Sequence, residues 1–335
     1  MQSTFTILIS EAQKGSWPDV VWSDAKDNGA KAYLDYCKPM NRKLRELRKI
    51  HFSNHANRKV WLPLKYLWDW SNVLRKEELD PRKRNYVIFQ TGIKYSAYYI
   101  RKLKKERNAC IVLYMPDNIR TMDIANNRTE FERYCRHFQI DQVYSFDKRD
   151  CEEFGMEFFD FYSKLPMKEI TEKRKSEKLR VLYVGSCRSK GRLDTLHRLY
   201  DKLQGQADCL FYMNGVHEAD MTRKGIIYNH PLTYLQVVDL VQKSDVIIEI
   251  MNGEQTGNTL RLKEAVCYNK LLLTNNHAIK NYPYYNNRYM QIFNDVDDID
   301  LTKFETHVEY NYHGEFSTAM LLARIKERDN FRFVI

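Results

Sequence analysis

Residues 245–276 read DVIIEIMNGEQTGNTLRLKEAVCYNKLLLTNN. An apolar, β-branched run, Asp245–Ile250, leads into a loop holding Gly253 and Gly257. A helical stretch over 258–268 follows, then a second apolar run, Leu271–Thr274. Short uninterrupted runs of Val, Ile and Leu read as strands buried on both faces. A strand, a helix and a strand in succession predict a parallel pair joined by a crossover. The pattern extends outward in both directions. Strands are expected at Arg180–Val184, Cys209–Met213, Ile226–Tyr228 and Tyr289–Phe293, and helices over 191–203, 232–243 and 315–328.

The first half repeats the alternation. Strands are expected at Phe5–Ile9, Tyr86–Gln90, Cys110–Met115 and Gln142–Phe146, with helices over 41–50, 62–76, 94–107 and 128–138. The fold class is therefore α/β, with two Rossmann-like, doubly wound domains at 1–166 and 179–314. Between them lies 167–178, MKEITEKRKSEK, which has no core-forming period and reads as a linker. Two open sheets in series are expected to face one cleft, with ligands at the carboxyl ends of the strands.

Composition sets the outer bounds. The chain has 335 residues, 43% hydrophobic and 29% charged, which excludes global disorder. Apolar stretches such as Ala109–Pro116 fall far short of the roughly 18–20 residues that span a bilayer. The opening MQSTFTILISEAQKG has neither a basic start nor a long apolar run, so the expectation is a cytoplasmic protein without a secretion signal. Seven cysteines with no CxxC spacing read as reduced, mostly buried thiols.

Net charge is +10, and most of it sits in residues 38–76, where 11 basic residues face 2 acidic ones. That segment, KPMNRKLRELRKIHFSNHANRKVWLPLKYLWDWSNVLRK, sets a basic helix before a stretch rich in Trp and Leu. The combination suits an anionic membrane surface. It also suits a nucleic-acid backbone, although no nucleic-acid motif accompanies it, or simply a solvated basic helix beside the core.

Two strand ends carry chemistry. After Asp245–Ile250, Asn258 or Thr259 is the expected cap of a helix whose first amides favour phosphate. Arg261 adds a charge-assisted contact, and Glu264, about one turn further, is placed to accept ribose hydroxyls. The second is Val181–Arg192, VLYVGSCRSKGR, where a strand ends at Gly185 and Arg188, Lys190 and Arg192 follow, a setting for a diphosphate. No GxGxxG and no GxxxxGK[ST] occurs, so neither a dinucleotide fingerprint nor a P-loop is present. Asn229 and His230 close another strand and are candidates for the base or ribose pocket.

Val184-Gly185 with its basic loop, SDVIIEI, the run Gln255-x-Gly257-x-Thr259-x-Arg261-x-x-Glu264 and KLLLTNN together look like bacterial surface-polysaccharide glycosyltransferases of the GT-B fold. Asp141–Tyr162, DQVYSFDKRDCEEFGMEFFDFY, is similar to the closing part of their first domain. The resemblance covers about 140–300 well and 1–140 in outline. It implies a second domain that binds a nucleotide-diphosphate sugar, with UDP-sugar favoured. It implies a first domain that holds a growing, lipid-linked glycan at the inner membrane face. It also implies a final helix, 315–335, that packs back on the first domain. Glu264 would hold the donor ribose, and Gln255, Thr256, Gly257, Asn258 and Thr259 would face the sugar and diphosphate. One departure stands out. Many such enzymes carry Glu-x7-Glu, whereas here the residue eight before Glu264 is Thr256 and Glu254 is offset by two.

Sugar transfer needs a neutralised leaving diphosphate, which helix amides with Arg188, Lys190 and Arg261 can supply without a metal or cofactor. The acidic run Asp295–Asp300 reads as a solvated turn rather than a metal site. An inverting reaction also needs a general base. The candidates at strand ends are Asp117 and Glu11, then Asp147, with His51 and His55 in the basic segment. Two competing classes are a non-catalytic nucleotide or nucleic-acid binding protein and a sugar-nucleotide epimerase.

Overall fold

A computed structural model describes residues 2–60, 62–169, 176–251, 259–305 and 307–332. They form two units, Met1–Ser163 with Phe316–Ile335, and Lys164–Glu315. Each holds a six-stranded sheet.

In the first unit the strands are β1 (Ser3–Leu8), β2 (Lys31–Tyr33), β3 (Arg84–Gln90), β4 (Ala109–Met115), β5 (Gln142–Ser145) and β6 (Glu157–Phe158). They pair in parallel in the order β2-β1-β3-β4-β5-β6. The order reverses between β1 and β3, which makes that pair the switch point. Short helices α1 (Trp17–Val20) and α2 (Ser23–Asp27) lead from β1 to β2, and α3 (Arg42–His51) and α4 (Asn54–Lys59) follow β2. The remaining crossovers are α5 (Ala97–Arg107), α6 (Arg128–Phe138) and α7 (Lys148–Phe154).

Local chemistry sets these helix limits. Ser96, Asn127 and Asp147 cap α5, α6 and α7 by accepting from the amides of Tyr99, Glu130 and Arg149. Asn108, Gln139 and Gly155 end them in the left-handed conformation.

Alternation along β3 sends Val87 and Phe89 to one face and Tyr86 and Ile88 to the other. The first face packs on α5, α6 and α7 through Ile100, Leu103, Phe131 and Phe154. The second packs on Trp22, Phe161 and the last helix, whose Leu321, Leu322 and Ile325 are buried there.

The second unit contains β7 (Arg180–Ser186), α8 (Lys190–Leu203), β8 (Asp208–Asn214), β9 (Ile227–Tyr228), α9 (Tyr234–Lys243), β10 (Val246–Glu249), α10 (Leu260–Cys267), β11 (Leu271–Thr274) and β12 (Met290–Ile292). Its order is β12-β11-β10-β7-β8-β9, also parallel. Read from β7 outward, this is the 3-2-1-4-5-6 order of dinucleotide-binding domains, with its switch point between β7 and β10.

The helix α11 (Thr318–Arg332) returns to the first unit. Arg84 of β3 grips Asp329 with both carboxylate oxygens, at 2.6 and 2.8 Å. The Thr318 hydroxyl accepts from the Ala25 amide at 3.1 Å, and Gln142 donates to the Ile325 carbonyl at 3.0 Å. Two Rossmann-like sheets and a last helix on the first of them match the expected fold class.

One local expectation fails. The helix expected over 62–76 is a short 3₁₀ stretch, Lys65–Ser71, entered through Leu64 at φ 62°. Pro63 supplies no amide donor for a helical turn there, and a left-handed Leu64 is incompatible with α-helix. The helices α1, α2, α4 and α7 and the strands β2 and β6 carry too few residues to set a period. Part of the expected linker, 170–175, lies outside the described residues. At its start, Lys168 is fixed to α9 through Gln242 and Asp239, both at 3.0 Å.

Candidate functional site

The strands β7 and β10 lie side by side with Val246 opposite Val181, so the segments that follow them leave the same edge of the sheet. This brings Gly185, Arg188 and Lys190 to the edge from which the Thr259–Arg261 turn also starts. Gln255, Thr256, Gly257 and Asn258 lie outside the described residues.

Gly185 is required by its surroundings. A Cβ there would come within 2.6 Å of the Tyr183 hydroxyl, which itself contacts the Cys187 thiol at 3.6 Å. Gly215, at φ +77°, lets the Arg188 side chain cross the next turn, since its Cβ position is 3.0 Å from the Arg188 Cγ. Arg188, Ser189 and Lys190 are exposed at the start of α8. Ser189 makes no side-chain cap bond, and the first turn holds no acidic residue. Cations at a helix N-terminus oppose the macrodipole, so the charges of this turn do not stabilise the helix.

The start of α10 is anchored instead. Thr259 is its N-cap, accepting from the Leu262 amide at 3.3 Å, and its hydroxyl donates to Glu249. Glu249 also accepts from the Thr274 hydroxyl, which ties the ends of β10 and β11 to the helix start. Burial pushes the Glu249 carboxyl up, and the threonine hydroxyls pull it back. Asn275 holds the Met251 amide at 2.7 Å, where the loop after β10 begins. Sequence reasoning missed Glu249 and Asn275. The signal available was an acid inside an otherwise apolar strand.

Glu264 is fully buried. It accepts from the Tyr234 hydroxyl at 2.9 Å and is paired with Arg261. Burial raises its carboxyl, with Arg261 and Tyr234 opposing. Asn229, at φ 50°, accepts from the amides of Gly215 and Val216 at 2.8 and 3.1 Å and donates to the Val216 carbonyl. Its side chain therefore braces the turn after β8. Asp295 caps a 3₁₀ turn and pairs with Arg198 at 2.6 Å. Among the described residues no group of three or more His, Cys, Asp or Glu could hold a metal ion.

In the first unit both switch-point strands run into strained backbone, with Glu11 at φ 47° and Thr91 at φ 81°. A cavity of about 350 Å³ opens there, lined by Glu11, Arg45, Arg48, Lys49 and Lys94 among others. Glu11 pairs with Lys49 at 3.2 Å and approaches Arg45 at 3.9 Å. Asp117 is exposed after β4, accepts from the Asn118 amide and does not line this cavity. Asp147 is spent on its cap. Both ring nitrogens of His51 are engaged: Trp68 donates to Nδ1 at 2.8 Å, and Nε2 meets the Pro63 carbonyl at 2.6 Å. His55 lines the cavity, 3.6 Å from Asp123.

The helix α3 has its faces reversed. Lys43, Leu47 and Ile50, spaced i, i+4, i+7, are exposed, while Arg45, Arg48 and Lys49 line the cavity. Val60, Leu64, Leu67 and Trp70 are exposed as well. No helix of the described residues is long and apolar enough to cross a membrane.

No protein-family model matches the chain, and no curated protein sequence matches it. Among solved structures it is similar to an α,α-trehalose-phosphate synthase (UDP-forming) from Burkholderia vietnamiensis, with TM-score 0.48, 10% identity, and coverage of 89% of this chain and 87% of that one. It is also similar to the glycosyltransferase SnogD from Streptomyces nogalater, with TM-score 0.45, 11% identity and 90% of each chain. A third is a DNA-modifying β-glucosyltransferase studied with and without uridine diphosphoglucose, with TM-score 0.45, 12% identity, and 90% and 91% covered.

Proposed function

We propose that this chain is a glycosyltransferase that moves a hexosyl group from a nucleotide-diphosphate sugar, UDP-sugar favoured, to a growing, lipid-linked cell-surface glycan. The observation that carries the reading is the start of α8: exposed Arg188 and Lys190, no acid in the first turn, and a position beside the switch point of a dinucleotide-type sheet. That chemistry fits a diphosphate held by amides and cations, with no metal required in the reaction. Thr259 and Arg261 support the same edge from α10. Arg261 already carries a buried partner in Glu264, so the ribose role of Glu264 requires that pair to open or the carboxylate to act through Arg261.

The first unit takes the acceptor in this reading. Glu11 is the favoured base, because it stands on the cavity wall at the end of β1, and Asp117 ranks behind it. The outward Leu47, Ile50, Leu64, Leu67 and Trp70, with Arg42 and Lys43, would rest on anionic lipid at the inner membrane face.

A thermal-shift and calorimetric screen of UDP-, GDP-, CMP- and TDP-sugars tests the donor. A UDP-sugar should raise Tm, and Arg188→Ala with Lys190→Ala should weaken it by about tenfold or more, on the order of 1.5–3 kcal/mol. No response to any nucleotide sugar ends the reading, and turnover of donor alone would favour an epimerase. Co-sedimentation with anionic vesicles tests the membrane. Binding should fall in the combined variant Lys43→Gln, Leu47→Ser, Ile50→Ser, whose residues point away from the cavity. Unchanged binding would remove the docking surface.

A further inference from the structure

The cations around the cavity of the first unit fall into two kinds. Arg45 is met by Asp35 at 2.6 Å, and Lys49 by Glu11 at 3.2 Å. Arg48 and Lys94 have only neutral partners. Arg48 is 5% exposed and donates to the Ser71 hydroxyl at 3.1 Å, the Asn72 carbonyl oxygen at 3.3 Å and the Lys94 backbone carbonyl at 2.8 Å. The Lys94 ammonium donates to the Phe52 carbonyl at 3.1 Å. Among the described residues neither forms an ion pair with a carboxylate.

Taking a cation out of water without a counter-charge is unfavourable, and two adjacent cations compound it. The effect on Lys94 is visible: burial, then repulsion by Arg48, pushes its ammonium down to about 8, with Glu11 opposing. Arg48 is itself lowered by burial. Lys65 is also pushed down to about 8, by burial and by Lys94. Of the remaining charged groups on the cavity wall, Asp35 pairs with Arg45 and Glu11 with Lys49, while Asp123 faces His55, which carries charge only when protonated. The positive charge on this wall that no carboxylate meets by hydrogen bond is thus that of Arg48 and Lys94. It coincides with the strained strand ends at Glu11 and Thr91, a place where strain and displaced ionisation mark ligand sites.

We propose that this cavity is a phosphoryl-binding site in which Arg48 and Lys94 hold the oxyanion of a phosphate ester. Two adjacent cations, Arg48 buried and Lys94 half-buried, match a doubly charged tetrahedral group, whereas a carboxylate would leave one of them unmet. The hydrogen bonds from Arg48 to Ser71 and Asn72 fix the guanidinium before any ligand arrives, which limits the entropy lost on binding. The site rests on the first unit alone. Its assignment to the acceptor, as the phosphate that bears the glycan, rests on the transferase reading.

The experiment titrates the full chain by calorimetry with inorganic phosphate, methyl phosphate, glucuronate and UDP, for wild type and Lys94→Met. In parallel, lysines dimethylated with carbon-13 are followed by NMR against pH, and the Lys94 signal is identified by its loss in the variant. Methyl phosphate should bind saturably, roughly tenfold more weakly in Lys94→Met, and should move the Lys94 titration up by about one pH unit or more. UDP affinity should be the same in both proteins. Equal methyl phosphate affinity in a variant of unchanged Tm would overturn the site, as would a Lys94 titration that phosphate does not move. Glucuronate binding more tightly than methyl phosphate would overturn the ligand class. Binding of inorganic phosphate with exclusion of methyl phosphate would replace the ester by a free ion and overturn the acceptor assignment. Methyl phosphate binding in a protein that ignores UDP would support the site and count against the transferase reading alone.

Discussion

Near the switch point of the second unit two carboxylates are buried, with Lys263 buried beside one of them. Glu249 lies between two threonine hydroxyls, and Glu264 lies beside Arg261 and Tyr234. In the first unit the corresponding charges are the buried Arg48 and the half-buried Lys94, whose hydrogen-bond partners are neutral. The two sheets share parallel pairing and differ in strand order, 2-1-3-4-5-6 against 3-2-1-4-5-6. The second unit gives Glu249 and Glu264 partners inside and offers Arg188 and Lys190 to solvent. The first unit holds Arg48 and Lys94 at the wall of a cavity. Arg188 and Lys190 can therefore be substituted at little cost to folding, while Arg48 and Lys94 are coupled to it.

The largest effect expected from a single substitution bears on the independence of the two units. Asp329→Ala removes the buried carboxylate that Arg84 grips and takes a partner from the Tyr86 hydroxyl. The loss should be about 3–5 kcal/mol. In calorimetry it should move only the transition of the first unit; a shared shift of both would break the comparison. Next is Glu249→Ala, which strands the hydroxyls of Thr259 and Thr274 and should cost about 1–3 kcal/mol in the second unit. Glu249→Gln should recover much of that stability, because an amide oxygen still accepts; failure to recover would show that the charge itself is needed.

The smallest effect sharpens the contrast through pH. Burial raises Asp24 of α2 from 3.8 to about 6, with Ser163 opposing and Asp27 adding. The folded state then keeps a proton that the unfolded chain releases, so stability falls as pH rises from about 4 to 6, and the penalty is full above that window. Asp24→Asn should stabilise the first unit by on the order of 1–2 kcal/mol near pH 7.5 and by almost nothing near pH 3.5. Urea titrations at the two pH values check it, and a gain that does not depend on pH would point to packing instead.

Much of the architecture was legible because its carriers are long and periodic. Val246–Ile250, Cys110–Met115 and Tyr86–Gln90 are continuous apolar runs, and α5, α6 and α8 hold several turns each. Strands as brief as Lys31–Tyr33 and Glu157–Phe158 leave no such trace; neighbouring strands create them. Residues 62–76 misled because Trp and Leu at helix-like spacing outweighed Pro63. At the site, Gly185 and the basic loop were readable from residue type. The engagement of Asn229 and the inward turn of Glu264 were not, since both depend on partners distant in sequence. The same holds for Arg48, whose place among α3's cations marks nothing until Ser71 and Lys94 close around it.

The position of α11 bears on how this protein is made. Leu321, Leu322 and Ile325 cover the face formed by Tyr86, Ile88 and Val112, yet they are translated only after the whole of Lys164–Glu315. A nascent chain must therefore leave part of one side of its leading sheet uncovered throughout synthesis of the other lobe, a window for chaperones during translation and for aggregation when they are scarce.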